Sequence, residues 1–423
     1  EQVVDNNYKS ENAVNFMIES LNSLKYVHCF FGDNNRVLSN LMKNRTLNVK
    51  AIFCNTDYTH YAIERDESIK KICKENGVES HFYEDYNLHE MGTILSTTNQ
   101  FYTVFTPFRN KAFQYKVRKP DISIIDCEIH TSEVQSKYSF ELAHAKKRFV
   151  KGVSEDPMVR GGRSEGKRLL SLAGKTQTKY DMTRNSAANR TTLLSAHIKF
   201  GTLSIRECYY AFRNLKPKVA SEALINQLYW NEFYDQLMFN VPKSKTIGKS
   251  NFKGLEIKWD GNMKRKYFEA WTEGNTGFPF IDAGMRQLNQ TGWMHNRARM
   301  AVANFLAMIL MIDWREGERY FATRLFDYDV SQNNGNWQWS CGVGVDKTGY
   351  LRVFNPYSQS KSHDPDGEYI KEYVPELKDV PVSDIHKWEN KYEEYVAKGV
   401  YMKPIVDYKS RRLIAIDSYK RSE

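Results

Sequence analysis

The sequence predicts two lobes of different classes, an α/β lobe built on a parallel sheet and then a nearly all-α lobe. Length is the first reason, because 423 residues exceed what one hydrophobic core normally supports. The second is that short β-rich runs alternate with helical runs over residues 1–115, whereas helical periodicity dominates residues 166–423. Residues 116–165 show neither pattern and contain many Lys, Ser and Gly, so they are predicted to be an interdomain linker.

In the first lobe, the runs YVHCFFG (26–32) and VKAIFCN (49–55) are predicted to be buried parallel strands. The helical segment NRVLSNLMKN separates them. An amphipathic segment over 61–78 follows, and then a third β-rich run, ESHFYED. This β-α-β-α order predicts a Rossmann-like parallel sheet covered by helices.

Helices dominate the second lobe. The segments EALINQLYWNEFYDQLMF, FIDAGMRQLNQ and NRARMAVANFLAMILMIDW all carry helical periodicity, and strand-like runs are few. The longest apolar run, AVANFLAMILMI (301–312), is too short to span a bilayer. It is predicted to be a buried helix, and no membrane partner is expected.

The chain is basic, with 61 Lys and Arg against 51 Asp and Glu and a formal net charge of +10. Such an excess suits a polyanionic partner such as nucleic acid, although a merely basic soluble protein fits it equally well. The six cysteines are scattered, with no C-x-x-C pair and no neighbouring His cluster. Neither a disulfide framework nor a zinc or other metal site is predicted, and a reducing, intracellular location is expected.

The segment DYDVSQNNGNWQWSCG (327–342) contains two aspartates, three asparagines, two tryptophans and an internal glycine. Asn and Asp compete with the helix backbone for hydrogen bonds, and Gly lowers helix stability. This composition is poor for a plain core helix and predicts a functional segment.

Three other segments combine polar and aromatic residues. NRTTLLSAHIKFG places Thr191, Thr192 and Ser195 at a helix start, which predicts either an anion site or an ordinary N-cap. LINQLYWNEFYDQL puts Gln, Trp and Asn on one helical face. TGWMHNRARM groups aromatic, amide and arginine side chains of the kind that contact phosphates and bases, although His295 alone is more typical of a structural histidine.

The segments TGWMHNRARM, DWREGERYF, NNGNWQW and FNPYSQSKSHDPDGEYIKEYVPEL together resemble the photolyase/cryptochrome family, and most closely its class I cyclobutane pyrimidine dimer photolyases. The likeness extends from about residue 8 to the C-terminus and is densest over 227–377. It implies an α/β antenna lobe, a long linker and an all-helical lobe that buries FAD. That plan agrees with the two lobes predicted from the pattern.

By resemblance, Asp327 and Asp329 correspond to carboxylates near the flavin and its ribityl chain. Arg299 corresponds to the arginine paired with the first of them, and Asn333 to the residue facing the flavin N5. The full set of implied FAD-binding residues is Tyr180, Thr191, Thr192, Leu193, Leu194, Ser195, Leu224, Arg299, Asp327, Tyr328, Asp329 and Asn333.

The resemblance also implies a set of residues that contact the pyrimidine dimer or the DNA. They are Arg184, Gln227, Trp230, Asn231, Tyr234, Asn296, Arg297, Met300, Trp339 and Gln359. A tryptophan relay that reduces the flavin is implied as well, with Trp337 and Trp314 matched by motif. Trp259 is the candidate for its outer member, and Trp271 is the alternative.

The implied activity is light-driven DNA repair. Light excites reduced FAD, an electron passes to a cyclobutane dimer flipped out of UV-damaged DNA, the ring splits and the electron returns. The flipped dimer stacks poorly, so extruding it costs less than extruding a normal base. A monomer without an obligate protein partner is expected, with a pterin or deazaflavin as the possible antenna chromophore.

Four features depart from the family pattern. Gln227 stands where dimer photolyases usually carry Glu, Asn336 replaces a Gly, and Asn185 replaces an Asp. The family's first strand, with its FRRDLR-type segment, is not present in this sequence, and the chain does not start with methionine. Either the numbering begins inside a longer protein or this lobe is truncated, and in both cases we expect the chain as given to hold a second chromophore weakly or not at all.

Three alternatives stay open at this point. A (6-4) photolyase carries histidines where this chain has Asn296 and Met300, which argues against that activity. A cryptochrome-type photoreceptor often carries a long C-terminal extension, whereas this sequence ends soon after the last family motif, which argues against that function. A DNA-binding protein with a vestigial flavin pocket would not be expected to keep so many flavin-site residues.

Overall fold

A computed structural model of the chain describes residues 10–24, 26–120, 134–153, 157–246, 250–261, 264–345 and 351–422. Its first part consists of α1 (Glu11–Asn22), α2 (Asn34–Met42), β1 (Ala51–Asn55), α3 (His60–Glu75), β2 (Glu79–Tyr83) and α4 (Phe105–Ala112). The two strands pair in parallel, with Ala51 opposite Glu79 and Asn55 opposite Tyr83. The predicted strands at 49–55 and 79–85 and their parallel pairing are therefore confirmed.

The strand predicted at 26–32 is wrong. Within this segment Phe30 forms only an isolated antiparallel bridge to Ser139. The neighbouring Phe31 packs its ring against Phe140 and Phe149, each at 5.7 Å between ring centroids. The aromatic side chains thus serve packing against the 139–149 segment, and a short apolar run cannot by itself separate that role from a strand.

The sheet is also less buried than predicted. On one face, Phe53 is 65% exposed and Tyr83 is 53% exposed. The other face packs on a small cluster whose buried members are Ile69, Cys73 and Val78. Parallel sheets are normally covered on both faces, so this sheet has helices on one side only in the described part of the chain.

The predicted linker contains a helix, α5 (Leu142–Phe149), which packs against α1. Residues 121–133 and 154–156 of this stretch lie outside the described residues. Helix α1, which falls within the predicted first lobe, is attached to the second. Ser10 Oγ donates to Leu325 O at 2.5 Å, and Asn12 Nδ2 donates to Arg324 O at 2.6 Å. The linker bounds of 116–165 stay a prediction.

The described residues of the second lobe form helices joined by loops and no strand, which confirms the predicted class. Its helices are α6 (Arg163–Thr176), α7 (Tyr180–Thr183), α8 (Ser195–Lys199), α9 (Ile205–Arg213), α10 (Lys218–Asn240), α11 (Lys243–Thr246), α12 (Lys264–Glu273), α13 (Pro279–Thr291), α14 (Asn296–Asn304), α15 (Trp314–Arg324), α16 (Val330–Ser340), α17 (Pro356–His363), α18 (Glu368–Tyr373), α19 (Val382–Ile385), α20 (Trp388–Val396) and α21 (Tyr408–Lys420). A π-helical turn, Phe305–Ile309, continues α14, and a 3₁₀ turn spans Pro375–Leu377.

The apolar run 301–312 lies at the centre of the largest hydrophobic core, as predicted, and none of its residues is more than 3% exposed. The π-turn inside it ends this helix at Ile309. Among the described helices, none combines the length and hydropathy that a membrane span requires. The five cysteines in the described part of the chain are free thiols, and no group of metal ligands was found there.

Candidate active site

A cleft that is open to solvent lies between α14, α15 and α16. Its walls combine charged and amide groups with apolar and aromatic ones. The lining residues are Asn296, Arg299, Met300, Ala303, Phe321, Leu325, Asp327, Asp329, Gln332, Asn333, Asn336, Trp337 and Ser340. Seven of the predicted site residues therefore meet in one cavity: Asn296, Arg299, Met300, Asp327, Asp329, Asn333 and Trp337.

The segment 327–342 builds one wall of this cleft as helix α16. Asp329 caps the helix, since its Oδ1 accepts from the backbone N–H of Ser331 at 2.9 Å and of Gln332 at 3.1 Å. Gly335 is needed for packing, because a Cβ there would lie 2.3 Å from the ring of Tyr234 on α10. The segment is thus a helix despite its composition, because its cap and its close packing against α10 outweigh weak propensity.

An ion pair stands at the edge of the cleft. Arg299 Nη2 donates to both carboxylate oxygens of Asp327, at 3.2 and 3.0 Å, and Ser195 Oγ donates to Asp327 Oδ2 at 2.7 Å. The Asp327 side chain is only 6% exposed, so this charge is held by paired, hydrogen-bonded groups. The structure therefore pairs Arg299 with Asp327, as expected, and places Ser195 in contact with the same carboxylate.

A second charged group lies behind Asp329. Lys199 Nζ contacts Asp329 Oδ2 at 2.7 Å, and the Tyr86 hydroxyl donates to the same oxygen. Burial acts to raise the pKa of Asp329, but Lys199 and the two hydrogen bonds outweigh it, and the pKa lies below its ordinary value. Burial and then the charge of Asp329 raise the pKa of Asp235 well above its ordinary value. In this cluster the charged forms of Lys199 and Asp329 are therefore favoured, whereas the protonated form of Asp235 is favoured relative to that of an ordinary aspartate.

Asn333 faces the cleft with a fixed amide orientation. Its Nδ2 donates to the backbone oxygen of Glu318 at 3.0 Å and to Glu318 Oε1 at 2.9 Å. Both amide hydrogens are thereby used, and the Oδ1 oxygen is left as a hydrogen-bond acceptor. The group that Asn333 can offer to a cleft ligand is thus an acceptor.

The TTLLS run precedes helix α8. Leu194 is 1% exposed, whereas Ser195 is exposed and begins the helix. Leu193 has φ of 56°, in the left-handed region that non-glycine residues rarely adopt. None of the three predicted hydroxyls caps the helix, because its N-cap is Leu194 without a side-chain bond. Five other predicted FAD-binding residues are absent from the described lining of the cleft. Tyr180 and Leu224 are buried, and Thr191, Thr192 and Tyr328 are half-buried.

On α10, Trp230 is stacked between two other rings. Phe105 of α4 lies parallel to it at 3.6 Å between centroids and 7° between planes, and Tyr234 lies at 5.9 Å. Gln227 Nε2 donates to Ala223 O of its own helix at 3.3 Å, and Asn231 Nδ2 donates to Asp235 at 3.3 Å. One face of Trp230 is therefore covered by a residue of the first lobe, and its role toward a base stays a prediction.

Two arginines stand near the mouth of the cleft. Arg297 donates through Nε and Nη2 to Asn185 Oδ1, at 2.9 and 2.6 Å. Burial lowers the pKa of Arg297, and the positive charge of the exposed Arg184 lowers it further. Because Asn185 is neutral, it holds the Arg297 guanidinium in place without neutralising its positive charge. Arg297 Nη1 also approaches Met300 Sδ at 3.5 Å, beside Asn296.

The side chain of His295 caps helix α14. Its Nδ1 accepts from the backbone N–H of Arg297 at 3.1 Å at the start of α14. Burial, followed by the nearby cationic groups, lowers its pKa to about 4. The ring is therefore neutral at physiological pH. Elsewhere, Trp339 lies under the Arg352 guanidinium at 5.0 Å, and Gln359 is half-buried on α17.

The structure brings two of the four tryptophans named for the relay, Trp337 and Trp271, into ring contact, and the relay itself stays a prediction. Trp337 lines the cleft and meets Trp271 at 6.1 Å between centroids. Trp314 is 1% exposed, lies under Arg315 at 4.7 Å and forms none of the aromatic ring pairs found in the described part of the chain. Trp259 meets Tyr419 at 6.5 Å.

Sequence reasoning missed several residues that the fold brings to the site. They are Phe321, Leu325, Ala303, Gln332, Ser340 and Asn336 in the cleft wall, together with Tyr86, Lys199 and Asp235 behind Asp329 and Phe105 on Trp230. Helical spacing from Arg299, Asp329 and Asn333 could have found Ala303, Gln332 and Asn336. No local pattern in the sequence identifies the residues that the first lobe contributes to the site.

Profiles of two protein families match the chain. The family described as DNA photolyase matches residues 3–123, and the family described as FAD binding domain of DNA photolyase matches residues 224–421. The deoxyribodipyrimidine photo-lyase of Buchnera aphidicola subsp. Baizongia pistaciae is 33% identical, over 85% of this chain and 76% of the relative. That of Escherichia coli is 32% identical, over 84% of this chain and 81% of the relative.

Solved structures show the same relationship. An archaeal photolyase from Sulfolobus tokodaii, solved with two FAD molecules, is 39% identical with a TM-score of 0.82, over 99% of this chain and 91% of that chain. A cryptochrome from Synechocystis is 26% identical with a TM-score of 0.83, over 98% and 89% of the two chains. The chain belongs to the photolyase/cryptochrome family, with an α/β lobe followed by the family's helical FAD-binding domain.

Proposed function

We propose that the chain is a light-driven cyclobutane pyrimidine dimer photolyase that uses FAD in the cleft between α14, α15 and α16. The observation that carries the proposal is the meeting of Arg299, Asp327, Asn333 and Trp337 in that cleft. The enzymatic relatives reported above are deoxyribodipyrimidine photo-lyases, and their name gives the reaction class.

The cleft fits a flavin chemically. An isoalloxazine ring has an apolar body and a polar edge, and here Phe321, Leu325 and Trp337 stand opposite amide and charged groups. Asp327, held by Arg299 and Ser195, would accept from flavin N–H groups, and the Asn333 oxygen would accept a further one. Asp329 and Gln332 would contact the polar chain that follows the ring.

When bound and reduced, FAD supplies the electron that cleaves the dimer under light. The chain's own residues bind, orient and desolvate. Arg299 keeps a positive charge beside the site, which stabilises negative charge there. Asn333, fixed by Glu318, holds its acceptor toward the cleft. The apolar residues of the wall would shield from water the part of the cofactor ring that they contact.

DNA would be held by electrostatics and by stacking. The net charge of +10 and the exposed Arg184 beside Arg297 favour phosphate contacts, so binding should weaken steeply with salt. Trp339 and Trp230 are the proposed platforms for the extruded dimer. For Trp230 this requires Phe105 to leave the ring face that it now covers.

The experiment uses purified, FAD-loaded chain reduced with dithionite. It is incubated with one oligonucleotide that contains a cyclobutane thymine dimer and another that contains a (6-4) photoproduct, in blue light and in the dark. We expect repair of the first only, and only in light. Repair of the (6-4) lesion alone would replace the proposed substrate. FAD binding without any repair would favour a cryptochrome-type photoreceptor, the second candidate suggested by the Synechocystis neighbour.

A second chromophore stays a separate proposal. The Sulfolobus tokodaii photolyase was solved with two FAD molecules, with the implication of a novel light-harvesting cofactor. FAD therefore joins pterin and deazaflavin as a candidate for this chain. We expect the chain as given to bind such a molecule weakly, and extraction of purified protein followed by chromatography measures it.

A further inference from the structure

The side chain of Asn185 lies where the loop after α7 meets the start of α14. Its Oδ1 accepts from Arg297 Nε at 2.9 Å and from Arg297 Nη2 at 2.6 Å. The Nδ2 group, on the other side of the amide, has no hydrogen-bond partner among the described residues and is accessible to solvent. Asn185 therefore presents two free N–H donors at the surface.

The loop that carries Asn185 is fixed to helix α17. The His363 ring donates through Nδ1 to Asn185 O at 2.9 Å, and the backbone N–H of Ala187 donates to His363 O at 2.7 Å. The backbone is thus held by α17, and the side chain is held by Arg297 of α14. An amide group that is fixed before its ligand arrives loses little conformational freedom on binding, so binding costs less entropy.

The positive charge around Asn185 has no carboxylate partner. Besides its two bonds to Asn185, Arg297 approaches only a weak acceptor, Met300 Sδ, which lies 3.5 Å from Nη1. Arg184 precedes Asn185 in the chain and is exposed, and neither arginine forms an ion pair with a carboxylate in the described part of the chain. Two uncompensated guanidinium groups thus flank the amide donors, a combination that suits a phosphate group.

We propose that Asn185 is a further DNA-contact residue, which donates from Nδ2 to a backbone phosphate that Arg184 and Arg297 attract by charge. The proposal rests on the proposed function, because it takes DNA as the ligand. Asn185 acts in two ways at this phosphate. It contributes a hydrogen bond of its own, and it holds the Arg297 guanidinium in place while leaving the positive charge available to the DNA.

An aspartate at position 185 would do neither. An ionised carboxylate only accepts hydrogen bonds, so it offers no donor to a phosphate oxygen. It would also form a strong, charge-assisted pair with Arg297 and neutralise the guanidinium. That pair would stabilise the free protein at the expense of DNA binding. The Asn that stands here in place of the family's Asp therefore favours DNA binding over the stability of the free chain.

The test measures binding of the full chain to fluorescent duplexes with and without a thymine dimer, by anisotropy from about 50 to about 200 mM salt. Asn185→Asp and Asn185→Leu are compared with wild type and with Asn390→Asp. The control makes the same change of charge at an exposed residue of α20 whose side chain forms no hydrogen bond among the described residues. The melting temperature of each variant is measured without DNA.

We expect Asn185→Asp to make the slope of log affinity against log salt concentration shallower by about 0.9, the value for one phosphate contact. Over that salt range, wild type should then lose affinity about threefold more than the variant does. The melting temperature of Asn185→Asp should not fall, because the new carboxylate pairs with Arg297. Asn185→Leu should bind more weakly but keep the wild-type slope, since it removes a donor and no charge. Asn390→Asp should resemble wild type.

The proposal is overturned if Asn185→Asp keeps the wild-type slope, or if Asn390→Asp changes it as much. Should Asn185→Asp fail to fold, wild-type affinity in Asn185→Leu would overturn the proposal instead. Light-driven repair by chemically reduced wild type is scored separately. A chain that binds DNA through Asn185 and repairs nothing would refute the proposed function alone, whereas a wild type that binds neither duplex would refute both.

Discussion

The two lobes differ in how completely they bury their apolar residues. The helical lobe encloses a large core around 301–312, where no residue is more than 3% exposed. The first lobe leaves Phe53 65% exposed, and its own cluster has three buried members. The described first lobe therefore gains much of its stability from contacts with the helical lobe rather than from its own core.

The contacts between them are polar as well as apolar. Arg206 of α9 is 2% exposed and bonds Asp85, Glu84 O at 3.0 Å and Leu88 O at 3.4 Å. Tyr86 reaches Asp329 beside the cleft. The cleft therefore belongs to the helical lobe, and one segment of the first lobe, residues 84–88, supports it through contacts with Arg206 and Asp329.

The largest expected effect is in the helical lobe, where Asp327→Ala removes the partner of Arg299. Removing one member of a buried charge pair destabilises the protein by about 3–5 kcal/mol, because the remaining charge loses its partner, and here it also removes a carboxylate that would face the cofactor. We expect purified Asp327→Ala to carry little or no FAD by absorbance. Asp417→Ala, which breaks the exposed pair with Arg421, is the control and should bind FAD normally. Full occupancy in Asp327→Ala would remove this pair from the cofactor site.

Trp339→Ala should lose about 1–3 kcal/mol of the preference for dimer-containing over intact DNA, the usual contribution of a base–aromatic stack. Binding to both oligonucleotides is measured at several salt concentrations by fluorescence anisotropy. The salt slope should stay unchanged, because the phosphate contacts remain. An equal loss on both DNAs would mean that Trp339 supports the fold, through Arg352, and not the dimer.

Gly335→Ala tests the close approach of α16 and α10. The added methyl group would meet the Tyr234 ring at 2.3 Å, and overpacking of this kind typically costs about 1–3 kcal/mol. Gly174→Ala is the matched control, because it is also helical but has nothing within 4 Å, and it should stabilise the protein by about 0.5–1 kcal/mol. Thermal unfolding of the two variants should therefore shift in opposite directions. Shifts of the same sign would contradict the packing described here.

Glu232 at the lobe contact predicts a pH dependence. Burial raises its pKa to about 8, and the nearby N–H groups of His89 and Leu88 offset this only in part. The folded state then binds a proton that the unfolded chain releases above about pH 4.3, so stability falls as pH rises toward 8, by at most about 1.4 kcal/mol per unit. Glu232→Gln should flatten this slope in denaturant titrations from pH 5 to pH 8. A slope identical to that of wild type would show that Glu232 is ionised in the folded protein.

The smallest effect is expected on the exposed face of the sheet. Phe53→Ser should change the free energy of unfolding by less than about 0.5 kcal/mol, as surface substitutions usually do. It does remove the stacking of Phe53 on His81, whose centroids lie 4.9 Å apart. A loss well above that value, measured by chemical denaturation, would show that this face is covered in solution.

The sequence predicted the helical lobe well because its signals are local. Helical periodicity located α10, α13 and α14, and the family resemblance named Arg299, Asp327, Asn333 and Trp337, which the structure places in one cleft. The parallel pair of strands was also predictable, since β-rich runs flanked a clear amphipathic helix.

What could not be predicted depends on contacts between distant segments. The run 26–32 has strand composition, yet tertiary packing of its aromatic residues against 139–149 decides its structure. Phe105 stacks on Trp230 from a helix 125 residues away in the chain, and Lys199 and Tyr86 meet at Asp329. No periodicity or local motif in the sequence indicates these contacts, so only the three-dimensional structure reveals them.

The central claim is that the cleft of the helical lobe performs light-driven dimer repair. The most direct measurement is repair of a thymine-dimer oligonucleotide by dithionite-reduced, FAD-loaded wild-type chain, in blue light and in the dark, with Asp327→Ala beside it. We predict repair by the wild type in light alone and none by Asp327→Ala under either condition. Repair that proceeds equally in the dark, or FAD-loaded wild type that repairs nothing in light, would contradict the claim.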